Sequence, residues 1–293
     1  MKWGIVFAST SFPEPDRAIA MAQAAEAAGF ESLWCPEHVV VAVGDGVTPY
    51  GGSVDGKMDR LWRRGGIPDP IVWLAFVASA TSTIKLGTNV VILPEHQPVV
   101  FAKAAATLDS LAKGRVLLGI GVGELPEEYA AVGMEFTNRG RRMDESIEAM
   151  RALWHDDVAT YEGQHVRFER VRCDPRPANG TIPLHIGGAS SAAVRRAARY
   201  GDGYFPWVGP GLDLWATLTE VIGSVRAAVS ELGRDPASIE ITVGGVRTVA
   251  DAERFAELGV DRLVVAVRAK ETEAMRDELA AFGADVIAAT RDL

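Results

Sequence analysis

The chain has 293 residues, 48% hydrophobic and 24% charged, with 30 Gly, 15 Pro and only two Cys. A chain of this size buries about 75% of the surface it exposes unfolded, and the composition excludes a collagenous, disordered or disulfide-dense protein. A net charge of −9 argues against general binding to nucleic acid or to an anionic membrane surface, and leaves room only for a local basic patch.

Strand and helix signals alternate from end to end. Trp3 to Ala8 reads as a first strand, and the Ala-rich stretch Pro15 to Ala28 as a helix ended by Gly29. Glu31 to Cys35 is a second strand. After a long loop, Asp69-Pro70 provides an N-cap followed by Pro at the first helical position. Ile84 to Leu93 is the third strand, Val99 to Lys113 a helix stopped by Gly114, and Arg115 to Ile120 the fourth strand. Arg141 to His155 carries Met143, Ile147, Met150 and Trp154 on one helical face. Pro183 to Gly187, Asp202 to Phe205, Ile239 to Gly244 and Asp261 to Ala266 follow as strands. They alternate with helices at Ser190 to Tyr200, Leu214 to Leu232 and Asp251 to Leu258, and a last helix carries Met275, Leu279, Phe282 and Val286.

Eight strands alternating with eight helices predict a single α/β domain over 1–293, a (β/α)8 TIM barrel, with an open doubly wound sheet as the competing topology. Ala28-Gly29-Phe30-Glu31-Ser32-Leu33 and Leu258-Gly259-Val260-Asp261-Arg262-Leu263 echo each other as helix stop, turn and strand entry. Three loops exceed what barrel connections need: Pro36 to Pro68 after strand two, Gly121 to Gly140 after strand four, and Asp156 to Ile182 before strand five. The last contains an alternating pattern that suggests a small strand excursion. The first two leave the C-terminal ends of strands, where barrel active sites sit.

No targeting or membrane segment is expected. The apolar run from Ile5 to Ser9 is too short for a signal-peptide core, and Ile71 to Ala80 is far below the ~20 residues of a membrane helix. Cys35 and Cys173 form no CxxC pair and read as reduced, buried thiols of a cytoplasmic protein, although Cys35 borders the first constellation below.

Four constellations could carry chemistry. Glu37-His38 directly after strand two sets a carboxylate beside an imidazole at a strand's C-terminal end, which suits acid–base work or simply a hydrogen-bonded loop. Gly119-Ile120-Gly121-Val122-Gly123-Glu124 has glycines at alternate positions that admit another backbone or a flat ligand. It is no Rossmann fingerprint, because Pro126 follows and no helix opens at once. Ile186-Gly187-Gly188-Ala189-Ser190 runs into a helix and forms either an anion site or a plain Ser190 cap. Thr88-Asn89 breaks an apolar strand and is either functional or an inward hydrogen-bonded pair. A metal held by Glu37, His38 and His185 is set aside, since no metal-ligand spacing is present.

Taken in order, these motifs resemble the luciferase-like flavin and deazaflavin oxidoreductases, most of all the actinobacterial branch that uses coenzyme F-420. The resemblance spans Trp3 to about Trp207. It includes Ala27 to Trp34, Ile84 to Val90, Leu108 to Arg115, Arg139-Gly140-Arg141 and Arg195 to Tyr204 besides the constellations above. It implies a barrel with the cofactor ring at its C-terminal mouth and hydride transfer to or from a small organic substrate. It implies His38 and Glu124 as the catalytic pair, one of which exchanges the accompanying proton. Glu37, Thr88, Asn89, Val90, Val122, Gly123, Ile186, Gly187, Gly188, Ala189 and Ser190 are implied as cofactor-binding. Asn89-Val90 falls where the deazaflavin branch has a bulge with a cis peptide. The cofactor is F-420 or, alternatively, FMN in a monooxygenase; a third reading is a non-catalytic flavin- or deazaflavin-binding protein. A homodimer is expected. Two features depart from the family pattern. The cationic loop Pro36 to Pro68 matches no substrate motif, and the long insertion after strand six is missing. Against a net charge of −9, the N–H groups around Gly188 and a few Arg side chains are expected to compensate an acidic cofactor.

Overall fold

The computed structural model describes residues 1–43, 66–208, 212–245 and 247–293. Much of the loop from Pro36 to Pro68, with its cationic cluster, lies outside the described residues. The strands are β1 (Lys2–Val6), β2 (Ser32–Cys35), β3 (Lys85–Thr88), β4 (Val91–Ile92), β5 (Val116–Gly121), β6 (Ala159–Glu162), β7 (Arg167–Val171), β8 (Leu184–Gly187), β9 (Gly203–Phe205), β10 (Glu240–Gly244) and β11 (Arg262–Val265). Parallel ladders run β1-β2-β3-β5-β8-β9-β10-β11 and return to β1, closing a (β/α)8 barrel; the open doubly wound sheet is thereby excluded.

The helices are α1 (Ala8–Ser11), α2 (Pro15–Ala27), α3 (Pro70–Ala78), α4 (Pro98–Leu111), α5 (Pro126–Ala131), α6 (Arg139–His155), α7 (Ser191–Tyr200), α8 (Leu214–Glu231), α9 (Val249–Glu257) and α10 (Thr272–Phe282). Local chemistry starts and stops them. Asp69 accepts the Val72 N–H at 2.8 Å ahead of Pro70. The two echoing segments are the same device: Gly29 and Gly259 take φ of +87° and +75° where α2 and α9 end. The motif from Leu108 to Arg115 is structural. Asp109 accepts the Val116 and Ala178 N–H groups, and Arg115 donates to the carbonyls of Ala78, Ile84 and Ala112.

Two details differ from the sequence expectation, in the third strand and in the loop after β5, whereas the strand excursion before strand five is present as expected. Third-strand pairing stops at Asn89, whose N–H donates to Cys35 O at 2.7 Å. A cis peptide joins Asn89 to Val90, and Val91 and Ile92 then pair only with β5. The loop after β5 contains α5, started by Pro126 with Glu127 and Glu128 in its first turn. The strand excursion is the antiparallel hairpin β6–β7, held to the side of the barrel where Glu145 of α6 accepts the N–H groups of Gln164, His165 and Val166.

Large rings face glycines inside the barrel. A Cβ on Gly87 would lie 2.6 Å from Trp34 Cε3, and one on Gly203 would lie 2.0 Å from His185 Nδ1. The Trp34 and His185 rings meet edge to face at 5.4 Å. The N-terminal end of the barrel is closed by a fully buried Arg262, which forks onto Glu31 at 2.8 and 2.9 Å and reaches Glu240 at 3.1 Å and Thr242 at 3.1 Å. Lys85 and Lys2 complete the cluster from outside. Burial alone would raise the Glu31 pKa, but the Arg262 hydrogen bonds and charge hold it at about 2. Burial, reinforced by the Arg262 charge, pushes His185 down to about 3, so its ring is neutral.

Candidate active site

The opposite, C-terminal end of the barrel gathers the sequence constellations. β2, β3, β5 and β8 are consecutive staves. Glu37-His38, Asn89-Val90, Val122 to Glu124 and Gly187 to Ser190 therefore leave the barrel along one continuous arc of its mouth. This adjacency follows from strand order rather than from any local signal.

Within the arc the glycines serve the bulge. A Cβ on Gly119 would fall 1.8 Å from Thr88 O, one on Gly121 2.7 Å from Val90 Cγ2, and one on Gly187 2.8 Å from Val90 Cγ1. The Thr88 hydroxyl donates to Gly119 O at 2.7 Å, which is the inward hydrogen-bonded reading of that residue. Val90 is thus seated against β5 and β8, half-buried at the mouth, with Val122 and Gly123 half-buried beside the arc and Glu124 exposed on it.

The anion-site motif divides its labour. The Ser190 hydroxyl accepts the Ala193 N–H at 3.2 Å, so the plain cap is real. Gly188, at φ +106°, donates its N–H to Phe205 O at 3.2 Å. That bond ties the start of the motif to β9. The donors without an intrahelical acceptor are those of the first turn of α7, at Ser191 and Ala192, both exposed. Arg196 is committed to Asp144 at 2.6 Å and to Gly140 O. Ile186 is buried beneath the motif, and Gly187 and Ala189 are half-buried.

Glu37 and His38 do not face each other. Glu37 accepts the Ile92 N–H at 2.7 Å and the His96 Nε2 proton at 3.0 Å, and so holds β4 from within. His38 turns to α5, where its Nδ1 lies 2.8 Å from Glu128 Oε2; the other Glu128 oxygen accepts the Val39 N–H at 2.5 Å. Glu128 is 1% exposed at its side chain. Burial opposes a charge on His96, but the Glu37 hydrogen bond and charge prevail and raise its pKa. Cys35 is fully buried, and burial pushes its thiol up to about 12, so it stays protonated beside the site.

Sequence reasoning missed Glu95, His96 and Glu128. One signal was available: Pro36-Glu37-His38 recurs as Pro94-Glu95-His96. In space the first glutamate pairs with the second histidine, while the first histidine turns to Glu128. His185, by contrast, belongs to the Arg262 cluster, so Glu37, His38 and His185 are not brought together, and no metal-holding group of three forms among the described residues.

Three comparisons bear on this arrangement. The family model described as luciferase-like monooxygenase matches residues 2–291. An uncharacterized protein of Mycobacterium tuberculosis is 32% identical over 275 residues, covering 90% of this chain and 91% of that one. A protein of Kineococcus radiotolerans named F-420-dependent glucose-6-phosphate dehydrogenase is 30% identical over 235 residues, covering 78% of this chain and 63% of that one. Among solved structures, an F-420-dependent secondary alcohol dehydrogenase in complex with an F-420–acetone adduct superposes with a TM-score of 0.79 at 18% identity over 99% of both chains, which speaks to fold alone.

Proposed function

The chain belongs to the luciferase-like monooxygenase family, and from that premise we propose that it is an oxidoreductase moving a hydride between coenzyme F-420 and a small organic substrate. The observation that carries this reading is the arc: bulge, glycine-flanked Val90, open helix N-terminus and a half-buried, oriented histidine stand on four adjacent staves. The name of the Kineococcus relative supports the cofactor.

The residues fit such a ligand. Thr88, Asn89, Val90, Val122 and Gly123 form the wall for a planar ring, and Val90 is fixed there because Gly121 and Gly187 leave it room while Gly119 admits the Thr88 carbonyl. Ile186 to Ser190 lead the chain to the first turn of α7, whose N–H groups and dipole suit a phosphate against the acidic net charge. Glu37 acts at one remove, by pinning β4. When bound, the deazaflavin supplies a carbon centre that gives or takes a hydride. The protein supplies position and the proton. His38 is the proton-exchanging group, because its ring is oriented by a buried carboxylate, whereas Glu124 stands exposed at the rim. The whole chain acts as one barrel domain in the cytoplasm, where Cys35 and Cys173 stay reduced.

Fluorescence titration of the apo protein with F-420 and with FMN tests the reading. Saturable F-420 binding is expected, together with oxidation or reduction of F-420 by a member of an enone, imine and alcohol panel. Preferential FMN binding with oxygen-dependent turnover would establish the monooxygenase instead. Binding without turnover would leave a carrier.

The expected homodimer has a specific surface. α3 is apolar all round, and Val72 and Phe76 are 68% and 42% exposed; the neighbouring α4 adds Val100 and Leu111 at 67% and 71%. Light scattering of the wild type should give twice the mass of the chain, and Phe76→Glu should give the monomer. A monomeric wild type sinks this part of the reading.

A further inference from the structure

Both carboxyl oxygens of Glu95 are buried with no N–H or hydroxyl donor, on a residue only 5% exposed, and the one side chain that shares a hydrogen bond with it is the Glu128 carboxyl. A buried carboxylate in that state is costly, because nothing replaces its water. The surroundings make it costlier. Glu37 and Glu128 both act on Glu95, with His96 and His38 one hydrogen bond further out on either side. Tyr129 lies beside it and also feels Arg139 and Arg142. Its hydroxyl donates to Val122 O at 2.6 Å, away from Glu95.

Two of the three carboxylates have donors that fit an ion. Glu37 takes the Ile92 N–H and His96. Glu128 takes the Val39 N–H and His38. Glu95 has none. Burial, then the charges of Glu128 and Glu37, then the hydrogen bond shared with Glu128, push its pKa up to about 9.

We propose that Glu95 is retained as a neutral carboxylic acid inside the site, and that Glu128, left as the anion against His38, is a positioning residue that fixes Nδ1 as the nitrogen carrying the ring proton. The Nε2 nitrogen is then the one that exchanges a proton in catalysis; this last clause rests on the role given to His38 above, whereas the protonation of Glu95 does not. A second Pro-Glu-His segment thus places one ion-pairing histidine and one stored proton behind the working histidine.

Native capillary electrophoresis at pH 7 of the folded wild type, Glu95→Gln and Glu128→Gln reads the first part. Glu162→Gln, on a side chain 76% exposed, calibrates one charge. Glu95→Gln is expected to co-migrate with the wild type, and Glu128→Gln to shift by the full calibrated charge. Above pH 9 the wild type should draw away from Glu95→Gln by one negative charge. A full charge shift for Glu95→Gln at pH 7 overturns the proposal.

Ring-nitrogen NMR of histidine-labelled wild type reads the second part, with the His38 signals assigned by His38→Gln. A proton on Nδ1 in neutral His38, lost or displaced in Glu128→Gln, is the expected result, and a proton on Nε2 overturns it. If Glu128→Gln does not fold, the wild-type spectrum still decides. Neither measurement needs cofactor, so failure of F-420 binding would leave both results standing and count only against the function.

Discussion

His38→Ala is expected to lower turnover with F-420 by about 10²–10⁴-fold, the range a positioned acid–base group contributes, while F-420 affinity changes far less. The split follows from placement. The α7 N-terminus and the Val90 wall lie on other staves and do not depend on the ring of His38. His38 is held at its Nδ1 by Glu128, a side chain almost wholly buried, so its orientation is prepaid before substrate arrives. Glu124→Gln should cost less, because that carboxylate stands exposed at the rim of the mouth. Stopped-flow single turnovers separate the step from binding. Near-normal turnover in His38→Ala would remove it from the chemistry, and a larger loss in Glu124→Gln would transfer the role to that carboxylate.

The second large effect belongs to the other end of the barrel. Arg262→Met should destabilise the fold by about 3–5 kcal/mol at pH 7, because it strands carboxylates that the guanidinium now pairs. Arg262 is wholly buried and makes its contacts to Glu31 through two nitrogens, so the remaining Lys85 bridge at 3.1 Å cannot replace it. The cost is expected to depend on pH. Glu31 has an ordinary value of 4.5 and a folded value of about 2. A depressed folded pKa contributes stability that is complete above the unfolded value and is lost as pH falls towards the folded one. The gap between wild type and Arg262→Met should therefore narrow below pH 4.5. His185 has the same sign, with 6.5 as its ordinary value and about 3 in the fold, so the wild type itself should begin to lose stability as pH drops below 6.5. Urea unfolding at a series of pH values checks both. A cost that is the same at pH 7 and at pH 3 would assign the effect to packing rather than to charge.

These two sites show why one end of the barrel was easier to read than the other. Glu37, His38, Glu124 and the glycine-rich strand ends are short contiguous motifs, and their resemblance to a family survives without three-dimensional information. Arg262 and Glu31 are 231 residues apart. In the sequence Arg262 reads only as a polar residue at the start of a strand, and nothing local distinguishes a barrel plug from a solvated charge.

The glycines make the same point from another side. Gly119, Gly121 and Gly187 are visible as a pattern that permits close approach. Only the structure shows that what approaches is Thr88 and Val90 of the neighbouring stave. Glu95 and Glu128 carried no signal except the repeated Pro-Glu-His, because a glutamate's charge state depends on neighbours that the fold supplies. His38 and Glu128 are 90 residues apart, and Glu37 and His96 are 59.

The order of the barrel strands and helices, their caps and stops, and the placing of each motif at a strand end were determined by sequence alone, since hydrophobic period, N-caps and helix-ending glycines act over a few residues. Tertiary structure decided which strand neighbours which, where the third strand breaks, and which buried carboxylate keeps its proton. Each of those outcomes is set by contacts across the barrel, where burial and charge act between residues that the chain holds far apart.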